Sequence, residues 1–300
     1  MALKQIKNKI VATKKTGQVT KAMESVSAVK MRKSQERAFM SRPYVHSALN
    51  IMTRVTHTAK DVAHPLTLPR AAGGVLLVMV TSDKGLAGSV NSAVLKQAEK
   101  IFRENATVDV IAIGRKALEF AQREKKTILA SYTNVSDNIS LKDVETMTKQ
   151  VIEAFADTKY QKVTAVYQNF ISTFEQMPTV RQILPISVPD IHDMMRGIKP
   201  KVGKFSDNRL SEQAPVQYLV EPSVGEVLSA LIPQLVEIVL YHSLLESKAS
   251  EHSARMVAMK NATDKSKEVV KTLTTKYNKA RQEAITAEVS EITAGAEAMK

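Results

Sequence analysis

The sequence predicts an α/β domain combined with a long antiparallel coiled coil that the two ends of the chain form together. Three observations favour this fold class. Both ends carry apolar residues at helical spacing with almost no Gly or Pro. The C-terminal stretch is far longer than a globular helix, and the middle alternates short apolar runs with amphipathic stretches.

Residues 1–57 predict the first long helix, with a narrow apolar seam and a basic outer surface. The seam positions follow three- and four-residue steps at Leu3, Ile6 and Ile10, and again at Val19, Met23 and Val26. Residues 1–42 hold 11 basic and 2 acidic side chains, whereas the rest of the chain is almost balanced. The basic arm indicates an acidic partner, which could be nucleic acid, an anionic membrane or a protein surface, or else it is a solvated helix face.

The C-terminal region, residues 221–300, predicts a second long helix. No Gly occurs from Glu226 to Ala294, and 60 to 68 helical residues would span roughly 90 to 100 Å. Its first part is apolar on nearly every side and should pack against a domain. Further on, a strict alternation of three and four indicates a coiled-coil seam at Val270, Leu273, Tyr277, Ala280, Ala284 and Ala287. The N-terminal helix, running antiparallel, is the simplest partner.

Between the two helices, residues 70–189 predict a Rossmann-like α/β domain with right-handed βαβ units. Gly74–Val80 is a continuous apolar run, typical of a strand buried on both faces of a parallel sheet. Residues 190–220, rich in Gly, Pro, Asp, Asn and Ser, predict a polar loop. The alternation predicts strands at 74–80, 108–113, 127–132, 162–170 and 179–186, and helices at 89–103, 115–123 and 141–156.

The composition and motifs argue against catalysis by this chain. The absence of cysteine excludes disulfides, thiolate metal sites and thiol catalysis. Neither GxxxxGK[ST] nor GxGxxG occurs, and the turn from Asp83 to Gly88 reads as a tight strand-to-helix turn that needs positive φ. The six histidines have no metal-ligand spacing. We therefore expect no catalytic, cofactor-binding or metal-binding residues.

The sequence also bounds the location. No apolar run approaches the roughly 18 residues needed to cross a bilayer. The N-terminus lacks the apolar core of a signal peptide. A cytoplasmic protein without a direct membrane span is the expectation.

Four stretches carry a resemblance to a known family. They are VTKAMESVSAVKMRKSQ at residues 19–35, TSDKGLAGSVN at 81–91, ARMVAMKNATD at 254–264 and YNKARQEAITAEVSEI at 277–292. Together, and in this order along the chain, they resemble the γ subunit of the rotary F-type ATP synthase of bacteria. Relatives with a cysteine-bearing regulatory insert differ, because this chain has no cysteine.

The resemblance implies a central rotor shaft, present in one copy, at the cytoplasmic face of the bacterial inner membrane. Its two terminal helices would turn inside a head of α and β subunits, and its α/β domain would lie beside the ε subunit on the ring of c subunits. Proton or sodium flow would turn the ring and the shaft, and ATP would be made on β. No cofactor and no nucleic acid is implied.

The resemblance also assigns roles to individual residues. It places Lys21 and Met23 where the shaft meets an acidic lever of β, and Arg255 at a position coupled to that region. Arg281 and Gln282 match a pair that contacts a catch loop of β. Thr286, Glu288 and Glu291 match the helix end that stabilises this contact. Tyr218 and Glu221 match the foot on the c ring.

Two departures and two rival functions accompany this interpretation. Ala87 stands where many relatives have Cys, and Val220 replaces a frequent Tyr beside the foot. A basic coiled coil that binds nucleic acid would use the same arm, with binding that falls steeply as salt rises. The aromatic residues of a single-strand platform are absent there, since residues 1–42 contain only Phe39. A dinucleotide enzyme would need a phosphate loop that the sequence lacks.

Overall fold

The computed structural model describes residues 3–58, 64–186, 221 and 223–299. The chain divides into two compact units: the coiled-coil unit, residues 1–27 with 256–300, and the sheet unit, residues 28–255. Two long helices, α1 (Leu3–Thr58) and α5 (Val224–Ala298), contribute to both units. The predicted polar loop at 190–220 lies outside the described residues.

The sheet unit confirms the predicted alternation of strands and helices. Four predicted elements have the observed bounds, and the last two strands begin two or three residues earlier than predicted. The elements are β1 (Gly74–Val80), α2 (Val90–Glu104), β2 (Val108–Ile113), α3 (Arg115–Arg123), β3 (Ile128–Tyr132), α4 (Leu141–Ala156), β4 (Tyr160–Phe170) and β5 (Gln176–Leu184).

The five strands form one mixed sheet in the order β3-β2-β1-β4-β5. β1 lies at its centre, parallel to β2 and β4, and β3 is parallel to β2. β5 is antiparallel to β4, as a hairpin requires. The continuous apolar run of β1 is explained by burial on both sides, since Leu76 and Val78 face one core and Leu77 and Met79 face the other.

Different helices cover the two faces of the sheet. α2 and α3 pack on one face, through side chains such as Val94 and Phe120. α4 and the first part of α5 pack on the other, through Val151, Leu235 and Leu244 among others. Pro233 lies inside α5, and the helix continues through it.

One window of α5 has the length and hydropathy of a membrane span, with a mean hydropathy of 1.6 over 18 residues. The prediction considered only uninterrupted apolar runs, so it did not identify this window as a possible membrane span. In the structure the first part of α5 buries Leu228, Ile232 and Leu235 in the core with the sheet. Packing inside the sheet unit therefore accounts for its apolar character.

The coiled-coil unit pairs the two ends of the chain in antiparallel directions, as predicted. The Thr20 and Thr263 hydroxyls lie 2.7 Å apart, and a Cβ added at Gly17 would lie 3.3 Å from Ser266 Cβ. On each helix one set of shielded positions alternates strictly by three and four. They are Leu3, Ile6, Ile10, Thr13, Gly17, Thr20, Glu24 and Ser27 on α1, and Met256, Met259, Thr263, Ser266, Val270, Leu273, Tyr277, Ala280 and Ala284 on α5.

Part of the predicted seam on α1 is wrong. Val19 and Val26 are 59% and 53% exposed, and Met23 is only half-buried, whereas Thr20 and Ser27 are buried. The repeat that begins at Leu3 continues through small and polar residues, so the apolar side chains of this segment lie beside the seam. Ala287 on α5 is also exposed, because the register leaves no residue of α1 opposite it.

Candidate functional site at the carboxyl edge of the sheet

Three loops of the sheet unit bind a short segment of α5. We call them the collar: residues 81–89 after β1, residues 133–140 after β3 and residues 171–175 after β4. All three begin at the carboxyl ends of strands that run parallel to one another in the sheet, the edge at which open α/β sheets usually bind ligands. Here residues 248–255 of the chain's own helix bind that edge.

Arg255 binds the first loop of the collar. Its guanidinium donates to the backbone carbonyls of Lys84 and Gly85 at 3.3 to 3.4 Å. The same group forms an ion pair with Glu251, one helical turn earlier, at 2.7 Å. Both side chains are buried, so each needs the other to balance its charge.

Left-handed backbone and side-chain caps shape this first loop. Gly88 has φ of 60°, as the sequence predicted for the turn, but the other left-handed residue is Leu86, with φ of 62°, and not Gly85. Asp83 Oδ1 accepts from the backbone N–H groups of Arg115 and Asn134 at 3.0 and 2.9 Å. Asp83 therefore joins the first loop to the start of α3 and to the second loop.

The third loop is held by serines of α5. Ser253 Oγ donates to the carbonyl of Thr173 at 2.6 Å, and Ser250 Oγ donates to the carbonyl of Gln168 at 3.1 Å. Both serines are fully buried. The small serine side chain lets the helix approach this closely. Its hydroxyl also satisfies a buried carbonyl that would otherwise lack a partner.

The second loop contacts both long helices through Asp137. Lys30 Nζ of α1 lies 2.7 Å from Asp137 Oδ2, and His252 Nε2 of α5 lies 3.1 Å from Asp137 Oδ1. Lys248 Nζ of α5 lies 3.6 Å from the same oxygen and donates to the carbonyl of Val135 at 2.9 Å. Arg37 of α1 donates to the carbonyl of Asp137 and to Asn138 Oδ1.

These neighbours keep Asp137 ionised. The hydrogen bond with His252 and then the bond from Lys30 hold the pKa of the Asp137 carboxyl well below its usual range, against the opposing effect of burial. A carboxyl whose pKa is lowered on folding stabilises the fold above its unfolded pKa of about 3.9. That stabilisation is lost as the pH falls through the folded value, so the contact is complete at neutral pH.

The residues predicted around the basic arm lie in different surroundings. Lys21 is exposed and pairs with Glu24 at 3.2 Å, and Met23 beside it is half-buried. Both belong to the coiled-coil unit, whereas Arg255 belongs to the sheet unit and forms the contacts described above.

The residues predicted at the end of α5 lie together on the exposed tip of the coiled-coil unit. Arg281, Gln282, Thr286, Glu288 and Glu291 are all exposed. Thr286 donates to the carbonyl of Gln282 at 2.9 Å, a bond within the helix. The tip also exposes three apolar side chains, Ile285, Val289 and Ile292, the last of them 70% exposed.

The predicted foot falls mostly outside the described part of the chain. Tyr218 lies outside it, and Glu221 is described only as an exposed residue.

Sequence reasoning missed Asp137, Lys248 and Lys30 as a group. His252 was considered only as one of six histidines without metal-ligand spacing. One signal was available. Residues 248–255 place two cationic side chains, a carboxylate and a histidine in a helix whose neighbouring positions are apolar on nearly every side, and buried charges need partners.

Comparison with known proteins identifies the family. The ATP synthase family model matches residues 2–299. The ATP synthase gamma chain of Geotalea daltonii is 37% identical over 100% of this chain and 99% of its own length. That of Roseiflexus castenholzii is 39% identical over 99% of this chain and 98% of its own length.

Solved structures share the fold. A chain of the central stalk and c-ring of Tetrahymena thermophila mitochondrial ATP synthase is 25% identical, with a TM-score of 0.59, over 81% of this chain and 99% of that one. A chain of Euglena gracilis mitochondrial ATP synthase in rotational state 3 has a TM-score of 0.67 at 20% identity, over 99% of this chain and 94% of that one. The chain described here belongs to the ATP synthase family, among its gamma chains.

Proposed function

We propose that this chain is the central rotor shaft of a bacterial proton-translocating ATP synthase. It couples rotation of a c-subunit ring to ATP synthesis and hydrolysis on β subunits, and it contributes no catalytic group of its own. Its partners are the α and β subunits of the head, an ε subunit and the c ring, with one copy of this chain per complex. It works at the cytoplasmic face of the inner membrane.

The observation that carries the proposal is the pairing of the two chain ends in one antiparallel coiled coil, in a chain that matches gamma chains over its full length. A shaft needs an extended element that other subunits can enclose. The exposed tip fits this role, because an isolated helix with exposed Ile285, Val289 and Ile292 gains stability when a partner covers them.

The regions then divide the work. Residues 1–57 and 221–300 form the shaft, residues 70–189 form its base, and residues 190–220 belong to the foot region. At the base, Tyr218 and Glu221 form the foot on the c ring.

The predicted site residues act at the contacts with β. Exposed Lys21, beside Met23, meets an acidic lever of β, which gives the basic arm an acidic protein partner. Arg281 and Gln282 contact a catch loop of β, with Thr286, Glu288 and Glu291 behind them. Arg255 holds the helix that connects these contacts to the collar. No observation favours the nucleic-acid alternative.

The tip contact can be tested by replacing Arg281 and Gln282 together with alanine. Both side chains are exposed, so the fold should stay intact while coupled ATP synthesis in inverted membrane vesicles falls on the order of tenfold, because charge-assisted contacts to a partner are lost.

Lys276→Ala is the matched control, because it removes one positive charge from the exposed surface of the same helix. It should leave synthesis close to the wild-type rate. Equal rates in the double variant, the control and the wild type would remove Arg281 and Gln282 from the coupling contact.

A further inference from the structure

The second collar loop, residues 133–140, holds both long helices at once. Its Asp137 carboxylate receives Lys30 of α1 on one oxygen, and His252 and Lys248 of α5 on the other. The other two loops of the collar bind α5 at Ser253 and Arg255, and Ser250 binds the end of β4. Asp137 therefore fixes one helix against the other as well as against the sheet.

The charged groups around Asp137 suit a contact that transmits torque. His252 is buried and Lys248 is partly buried, with side chains 3% and 12% exposed, whereas Asp137 and Lys30 are more exposed. Charge-assisted hydrogen bonds are shorter and stronger than neutral ones. Once the Asp137 carboxylate is removed, buried His252 loses the carboxylate at 3.1 Å, while Lys248 keeps the Val135 carbonyl and Glu251 at 4.0 Å, so the present arrangement of the loop loses stability mainly through His252.

Further hydrogen bonds hold the same loop in place and make it stiff. Asp83 accepts from the N–H of Asn134, and Arg37 donates to the carbonyl of Asp137 and to Asn138. The hydroxyl of Tyr241 on α5 lies within 3.5 Å of the carbonyl of Ile139. Each bond is formed with a residue far away in the sequence, so the loop connects segments that are distant along the chain.

We propose that Asp137 is a positioning residue for rotary coupling, through which loop 133–140 passes torque between the sheet and both long helices. This inference rests on the proposed function. Without the Asp137 carboxylate the assembled complex still hydrolyses ATP. The loop then holds the two helices less firmly, so part of the rotation is not transmitted between the sheet and the helices.

The test compares two quantities in the same vesicles containing the full complex: ATP hydrolysis and ATP-driven proton uptake. In Asp137→Asn, hydrolysis should persist while proton uptake per ATP hydrolysed falls roughly threefold, within the range that single substitutions in a coupling network produce. Asp137→Glu, which restores the charge, should recover most of the ratio. A purely structural defect lowers both quantities together and leaves the ratio unchanged.

Asp143→Asn is the matched control. It removes a carboxylate close to the same loop, where Asp143 caps α4 by binding Ser140, without a bond to α1 or α5. Its ratio should equal that of the wild type. An unchanged ratio in Asp137→Asn, or an equal fall in both variants, would overturn the proposal.

A milder variant covers the case in which Asp137→Asn does not assemble. Lys30→Gln removes only the ion pair between α1 and the Asp137 carboxylate, and Lys30 is a partly exposed side chain. The complex should therefore form with a smaller fall in the ratio. Lys142→Gln, an exposed lysine on α4, controls for the loss of charge, and equal ratios in these two variants would contradict the proposal. Failure of the wild-type chain to assemble would instead contradict the proposed function.

Discussion

The two halves of α5 have the same secondary structure but different reasons to be helical. From Leu240 to Ser253 nearly every side chain is buried, and the segment is bonded to the end of β4 and to the second and third loops of the collar. From Thr263 to Ala284 only every third or fourth residue is shielded, and beyond Ala284 every described side chain is exposed. Tertiary packing therefore stabilises the first half, and a narrow seam the second.

The difference shows where the chain can tolerate change. In the first half, a substitution affects a closely packed core and a set of buried charges. In the second half, the seam contains small and polar pairs such as Thr20 with Thr263, which bury little apolar area. The coiled-coil unit should therefore open locally well before the sheet unit unfolds.

The largest effect should come from a cavity in the first half. Leu245 is fully buried in the core with the sheet, and Leu245→Ala should lower the free energy of unfolding by about 3 kcal/mol. Leu273→Ala, at a half-buried seam position, should lower it by about 1 kcal/mol, since less area leaves water. Urea unfolding of the full chain, followed by circular dichroism, measures both, and equal losses would contradict the comparison.

A smaller loss should follow removal of the Arg255 guanidinium. Arg255→Met keeps most of the packing volume but leaves buried Glu251 with only its more distant cation, Lys248 at 4.0 Å, and frees two carbonyls of the first loop. The free energy of unfolding should fall by about 2 kcal/mol. Adding Glu251→Gln should recover part of this loss, because the buried carboxylate that lost its closest cation is gone. A double variant no more stable than Arg255→Met would argue against the charge-balancing role of the pair.

The smallest effect should be at the polar pair of the seam. Thr20→Val alone leaves the Thr263 hydroxyl facing a methyl group and should destabilise the coiled-coil unit by about 1 kcal/mol. Thr20→Val with Thr263→Val should return close to wild-type stability, since two apolar groups of the same shape then meet. Hydrogen exchange of the amides around Gly17 reports on this unit directly. Faster exchange in the double variant than in the single one would contradict this account of the hydroxyl pair.

The sequence predicted the fold well because its signals are local. The apolar run at Gly74–Val80 and the repeat from Val270 to Ala284 each lie within a few turns of chain. The α1 seam was the exception. Hydropathy favoured Val19 and Val26, but the repeat set at Leu3 selects Thr20 and Ser27, and only the partner helix reveals that choice.

The candidate site was less accessible to sequence reasoning because its contacts are distant. Asp137 lies more than 100 residues from both Lys30 and His252, and no spacing rule connects such positions. Arg255 was identified only through family resemblance, and its partners, the carbonyls of Lys84 and Gly85, carry no signature in the sequence. The charges that interrupt an apolar helix were the one local sign that buried partners exist.

The most direct test of the account is co-expression of this chain with the α and β subunits from the same source, followed by native mass spectrometry and an ATPase assay. The account predicts a complex of three α, three β and one copy of this chain, with ATPase activity that requires it. Mass spectra that show the head without this chain, or activity that is the same in its absence, would contradict the assignment as the rotor shaft.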